Sequence, residues 1–170
     1  MIKTINGHAI WGLFADEDMN CLKKIQSKVY KKLRGPSFEI HLTLLSPYVK
    51  YDEKKIYQIE KICEKVKPIG IVPSGFAEGD TFFNSVFLEI KKTRDLLKFR
   101  ENFLNLVNFK SSLEFFPHIS LVYGNFPKKL RNQVIKELKT VNTKLNLDRI
   151  CIVDICEDIS SWKIIKTIFL

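Results

Sequence analysis

His41-Leu42-Thr43-Leu44 and, 77 residues further on, His118-Ile119-Ser120-Leu121 are two copies of one pattern, and the rest of the chain organises around them. The chain has 170 residues and only three histidines, so two of the three open a histidine–apolar–hydroxyl–apolar run. At this composition a given histidine does so by chance with a probability of roughly 0.02, and two of three on the order of one time in a thousand. The spacing has a meaning on a β-strand, where side chains at i and i+2 share a face. His41 and Thr43 then point one way and Leu42 and Leu44 the other, and His118/Ser120 separate from Ile119/Leu121 in the same manner. The apolar faces can pack under helices while the polar faces line a cleft. If the two runs sit on facing lobes, two imidazoles and two hydroxyls converge there. Hydroxyls donate to phosphoryl oxygens, and imidazoles near pKa 6.5 serve as base and acid at neutral pH.

Outward from the two motifs, strand-like and helix-like segments alternate without a low-complexity linker. His8–Ala15 reads as a strand. Met19–Leu33 reads as a helix with Leu22, Ile25, Val29 and Leu33 on one side, stopped by Gly35-Pro36. Phe38–Leu45 is a predicted strand, Asp52–Val66 a helix, and Ile69–Val72 and Asn84–Lys91 strands joined through a connection containing Gly75 and Gly79. Asp95–Val107 is a helix, His118–Tyr123 a strand closed by Gly124, and Lys128–Lys139 a helix. Leu147–Cys156 and Trp162–Phe169 complete the chain as strands. Several strands follow one another without an intervening helix, so the class is α+β with antiparallel sheet. The expected architecture is one domain over residues 1–170, with two sheet lobes, helices outside, a central cleft, and an internal duplication about an approximate two-fold.

Composition narrows the partners less than it first suggests. The formal charge is +9, from 28 Lys and Arg against 19 Asp and Glu, which permits attraction to phosphate or RNA. Most of those bases are lysines spread over helix faces, as with Lys23, Lys24, Lys28, Lys31 and Lys32, where a solvated surface is the ordinary reading. No window reaches the ~18 consecutive apolar residues of a membrane helix, and the short apolar run Ala9–Ala15 lacks a preceding basic cluster. Cys21, Cys63, Cys151 and Cys156 form no C-x-x-C pair and have no nearby histidine cluster, so no metal site is expected. Free cysteines in a reducing cytosol are the expectation, with a distant disulfide through Cys63 as the alternative. His8, outside both motifs, reads as a hydrogen-bonded structural residue.

The paired motifs resemble those of the two-histidine (2H) phosphoesterase superfamily, and within it the plant and yeast type of cyclic phosphodiesterase. Ile10-Trp11-Gly12-Leu13 is similar to the tryptophan-bearing first strand of that group, and Gly35-Pro36-Ser37-Phe38 to the approach to its first motif. Thr81-Phe82-Phe83-Asn84-Ser85-Val86-Phe87-Leu88 resembles its central aromatic strand, Phe116–Tyr123 its second motif, and Ser161-Trp162 its late tryptophan. Ile40 stands where a proline is common, and Gly124-Asn125-Phe126-Pro127 departs from the usual stretch after the second motif. The resemblance implies metal- and cofactor-free opening of a cyclic phosphate, with His118 as base, His41 as acid, and Thr43 and Ser120 on the non-bridging oxygens. ADP-ribose 1″,2″-cyclic phosphate and nucleoside 2′,3′-cyclic phosphates are the implied substrates.

Trp11, Phe83 and Tyr123 are the candidates to hold a base, since aromatic faces stack with any of them. Tyr123 is out of phase with His118 and Ser120 on an ideal strand, and Gly124 is the residue that would let the chain turn it inward. Two alternatives stay open: an RNA end or 2′–5′ oligonucleotide in the same cleft, and a binding module without turnover. The expected setting is a cytoplasmic monomer with no membrane partner.

Overall fold

A computed structural model describes residues 6–47, 50–108 and 114–170. Its strands are β1 (Gly7–Phe14), β2 (Leu42–Leu45), β3 (Ile69–Ile71), β4 (Pro73–Glu78), β5 (Val86–Ile90), β6 (His118–Val122), β7 (Leu145–Ile155) and β8 (Lys163–Phe169). The helices are α1 (Asp16–Tyr30), α2 (Glu53–Cys63), α3 (Arg94–Val107) and α4 (Lys128–Glu137). All strand pairs are antiparallel, in the order β3-β7-β1-β2-β6-β5-β4, with β8 also on β7. The class is α+β, as the alternation of segments implies.

The two motif strands are neighbours at the middle of this path, and they meet at one residue pair, Leu42 with Ile119. Both side chains are fully buried. The helices cross this seam in opposite senses. α1 follows β1 but also packs on β6, and α3 follows β5 but packs on β2. One core cluster joins Ile59, Cys63, Leu96, Phe99 and Phe103 to the apolar residues of β1, β2 and β7. A second gathers Val29, Leu33, Val86, Leu121, Val122 and Val134 between α1, α4 and the end of β6.

Several boundaries differ from the predicted ones for local reasons. α1 begins at Asp16, because Asp16-Glu17-Asp18 occupy its first turn, where carboxylates complement the helix dipole. It ends at Tyr30, and Leu33 stays buried in a turn whose amide donates to the Val29 carbonyl at 2.9 Å. Asp52 and Thr93 cap α2 and α3, accepting from the amides of Lys55 and Leu96. The predicted strand Phe38–Leu45 contracts to Leu42–Leu45, and the Glu39 carbonyl accepts from the His41 ring rather than from a neighbouring strand. The expected glycine connection is a strand, β4, with Gly75 at an irregular step opposite Glu89 and a φ of 143° that suits glycine. All four cysteines are free, with Cys63 and Cys151 buried in the core and Cys21 exposed. No helix among the described residues is long and apolar enough to cross a membrane.

Gly35 packs where a side chain has no room. A Cβ there would lie 2.1 Å from the Tyr123 carbonyl oxygen, which is backbone and cannot step aside. A methyl at Gly70 would meet nothing closer than the Lys144 Cδ, at 3.5 Å. Gly35→Ala is therefore expected to cost about 1–3 kcal/mol by overpacking, lowering the melting midpoint, while Gly70→Ala stays close to the parent; thermal unfolding of the two variants checks this.

Candidate active site

Antiparallel pairing of Leu42 with Ile119 fixes which polar residues face each other. Extending that register by one residue each way sets His41 beside Ser120 and Thr43 beside His118, so each imidazole neighbours the hydroxyl of the other motif. All four line one cleft of about 670 Å³, together with Trp11, Phe83 and Tyr123. Every residue singled out from the sequence for chemistry or substrate contact is therefore brought together.

The two rings are held alike. His41 Nδ1 lies 2.7 Å from the Glu39 carbonyl and His118 Nδ1 lies 2.8 Å from the Phe116 carbonyl, in each case two residues back. A carbonyl only accepts, so Nδ1 carries the proton in both rings and Nε2 is the atom free for substrate. Burial pushes His41 down to about 4, partly offset by the Glu39 hydrogen bond, with repulsion from His118 adding to the fall. His118 is less enclosed and is lowered by the same cause, against the pull of the Phe116 carbonyl. Burial lowers His8 too, but its ring is held differently. Its Nδ1 accepts from the Tyr51 amide at 2.8 Å, and its ring lies away from the cleft lining.

Aromatic side chains form the walls. Trp11 stacks face to face on His41, centroids 3.6 Å apart and planes within 6°. It pairs across the sheet with Thr43, while Phe87 pairs with Ser120 and abuts His118 at 5.3 Å. In both halves the residue opposite the hydroxyl thus props the histidine. Phe83 sits in a 3-10 turn, Phe82–Asn84, whose Phe83 carbonyl accepts from the Ser120 hydroxyl at 2.9 Å. Trp162 is a site residue that the sequence patterns do not assign to the cleft. It lies 5.8 Å from Trp11, 6.2 Å from Phe83 and 6.1 Å from Tyr123, and its indole N–H donates to the Cys156 carbonyl at 2.8 Å. In the sequence it is only a landmark before the last strand, with nothing to show that the β7–β8 connection returns to the cleft. Asn6, Ser46 and Asn84 add polar groups to the lining.

Tyr123 reaches the cleft because β6 breaks its own alternation. Phe87 pairs with Ser120 but Val86 pairs with Val122, leaving Leu121 as an extra residue. Leu121 and Val122 both enter the α1/α4 cluster, so the next side chain points the other way. Tyr123 is 3% exposed and stacks on Phe38 with centroids 3.8 Å apart. Burial raises its phenol well above the ordinary value.

Two facing histidines with matched hydroxyls on an antiparallel sheet define a two-histidine phosphoesterase, and comparison with known proteins agrees. The family model for cyclic phosphodiesterase-like proteins matches residues 8–170. A cyclic phosphodiesterase of Arabidopsis thaliana is 25% identical over 140 residues, covering 82% of this chain and 77% of its own. The crystal structure of E. coli LigT complexed with 3′-AMP superposes with a TM-score of 0.63 at 10% identity, covering 97% of this chain and 98% of that one. TT0787 of Thermus thermophilus gives a TM-score of 0.58 at 15% identity, covering 96% and 97%. The chain belongs to the cyclic phosphodiesterase-like protein family, and it is a hydrolase acting on phosphodiester bonds.

Burial of His41 as the neutral ring links stability to pH. Its folded pKa of about 4 lies below the unfolded value of 6.5, so the unfolded chain takes up the proton first. The contribution is intact above pH 6.5 and is lost as pH falls towards 4, by up to about 3 kcal/mol. Denaturant unfolding at pH 7.5, 5.5 and 4.5 is expected to show this decline in the parent and a smaller one in His41→Asn.

Proposed function

We propose that the protein opens the cyclic phosphate of a small nucleotide to a monoester, without a metal, by acid–base catalysis between His118 and His41. The observation that carries this reading is the matched pair of Nδ1–H···O=C anchors, which leaves two free Nε2 atoms either side of the two hydroxyls. His118 Nε2 takes a proton from water as its oxygen bonds to phosphorus. The opposite P–O bond breaks, and His41 gives its proton to the departing ribose oxygen. The Trp11 face against His41 favours the imidazolium through cation–π attraction, which suits the acid. His118, the less enclosed ring, suits the group that meets water. Thr43 and Ser120 donate to the non-bridging oxygens; the Ser120 proton turns from the Phe83 carbonyl to the stronger, charged acceptor. Phe83 and Trp162, the half-buried aromatics of the wall, hold the base by stacking, while Trp11 backs His41 and Tyr123 packs on Phe38.

Among the described residues that line the cleft, none is Lys, Arg, Asp or Glu. A described lining that is uncharged and aromatic-walled suits a single phosphodiester charge. This favours a nucleoside 2′,3′-cyclic phosphate over an RNA end, whose neighbouring phosphates call for cations. ADP-ribose 1″,2″-cyclic phosphate brings two further charges on its pyrophosphate and should be the weaker substrate of the two. A binding module without turnover has no need of two complete histidine–hydroxyl pairs. In Arabidopsis thaliana the relative bears the name cyclic phosphodiesterase, which supports the same reaction class here.

Product analysis with 2′,3′-cyclic nucleotides, ADP-ribose cyclic phosphate and 2′–5′ oligonucleotides tests the reading, the first being turned over best. His41→Ala and His118→Ala should each lose at least ~10² in kcat, and a chelator should leave the rate unchanged; near-parental turnover in either variant rules the mechanism out. Both free-protein imidazoles are depressed, so the bell-shaped kcat/KM profile should peak below pH 6.5. A bound phosphate raises both rings, so the kcat profile should lie to the alkaline side of it.

A further inference from the structure

The bulge that turns Tyr123 inward has a twin. On β2, Trp11 pairs with Thr43 but Ile10 pairs with Leu45, which leaves Leu44 as the extra residue. Leu44 and Leu121 are each the fourth residue of their motif, three after the histidine. The following side chains match as well. Leu44 and Leu45 are both buried in the first cluster, as Leu121 and Val122 are in the second. The residue five places after the histidine is then turned into the cleft: Tyr123 in the second motif, Ser46 in the first. On the β2 side the bulge is pinned from α3, where the Arg100 guanidinium donates to the Leu44 carbonyl at 2.9 Å while lying over the Phe115 ring.

The register separates the two ends of the cleft. Beyond Ser120, β6 runs towards the His41 end, and Tyr123 meets Phe38, which also edges His41. Beyond Thr43, β2 runs the other way, past His118, to Ser46. Each end therefore carries one imidazole, the motif hydroxyl of the opposite strand, and a further hydroxyl supplied by that strand's bulge. At the His41 end the further hydroxyl is the buried phenol of Tyr123. At the His118 end it is the exposed hydroxyl of Ser46. An in-line displacement at phosphorus has the same polarity, with a ribose oxygen leaving at one apex and a water arriving at the other.

We infer that Ser46 is a further catalytic residue, which hydrogen-bonds the attacking water at the open, His118 end of the cleft and aims its lone pair at phosphorus. The inference rests on the two-histidine reading of the cleft. The serine hydroxyl accepts a hydrogen bond from the water's second O–H, which methanol lacks, His118 Nε2 takes the other proton, the new O–P bond forms, and the ribose oxygen leaves with the proton of His41. Ser46 itself is neither protonated nor consumed.

The test is steady-state kinetics of Ser46→Ala and Ser46→Thr on a nucleoside 2′,3′-cyclic phosphate, with thermal melts as a check on folding. Losing the water's anchor should lower kcat about tenfold in the alanine variant, as misplaced nucleophiles do, with KM changed less than twofold in the same variant. The threonine variant, which keeps a hydroxyl, should recover most of kcat. In water–methanol mixtures the alanine variant should also release a larger share of methyl ester, because methanol loses less than water when a water-specific contact is removed. A kcat within twofold of the parent overturns the inference, as does a loss confined to KM, which would place the nucleoside at Ser46 instead. If His41→Ala and His118→Ala are inactive while Ser46→Ala is normal, only the role of Ser46 falls. If those histidine variants keep their turnover, or the parent opens none of the cyclic phosphates, the reading of the cleft falls with it.

Discussion

The pairing of Leu42 with Ile119 is the constraint on which the rest of the molecule depends. It is a single cross-strand pair, yet it fixes the register of both motifs. A slip of one residue by either strand would turn its own imidazole and hydroxyl out of the cleft and leave the other pair without its counterpart. Its hold comes from burial: both side chains are fully enclosed, and each such burial is worth about 1.5–3 kcal/mol. The motif thus carries its own fastening. The apolar residue between histidine and hydroxyl is the part that packs, and the packing places the histidine and the hydroxyl in the cleft.

Electrostatically the molecule is divided. Among the described residues the lysines lie on helix faces and rims, with pairs such as Lys23–Glu39 and Lys61–Glu64 in solvent. Inside the cleft the described lining is uncharged apart from two imidazoles held neutral by burial. A phosphodiester anion entering there meets weak screening and few competing charges, so its effect on the two rings is large.

Much of this is legible in the sequence because the signals are short and redundant. Twice-repeated histidine–hydroxyl spacing locates residues that line one cleft, and the 3.6-residue periodicity of Leu22, Ile25 and Val29 or Ile56, Ile59 and Ile62 locates helices that are present. What escapes is set by long-range geometry. Trp162 belongs to the site only because β8 folds back on β7, and no local pattern encodes that return. The strand that ends at Leu45 is predicted four residues too long because a side chain, His41, takes a backbone acceptor that periodicity assigns to a sheet. The orientation of Tyr123 has its cause in plain view: Leu44-Leu45 and Leu121-Val122 are apolar doublets that interrupt an alternating pattern, the mark of a bulge.

The crossing of α1 and α3 over the seam has a consequence for how the chain reaches this shape. Each helix finds its partner strand in the other half of the sequence, α1 on β6 and α3 on β2. Neither half therefore holds a complete core, and a nascent first half leaves Val29, at the C-terminal end of α1, without its packing partners until β6 has been made. Assembly must wait for contacts separated by 56 residues between Arg100 and Leu44 and by about ninety between α1 and β6, the regime in which loop closure precedes any reward and folding is slow. The same interlock that delays folding binds the two walls of the cleft into one cooperative unit, so the distance between the histidines is not free to drift while the protein remains folded.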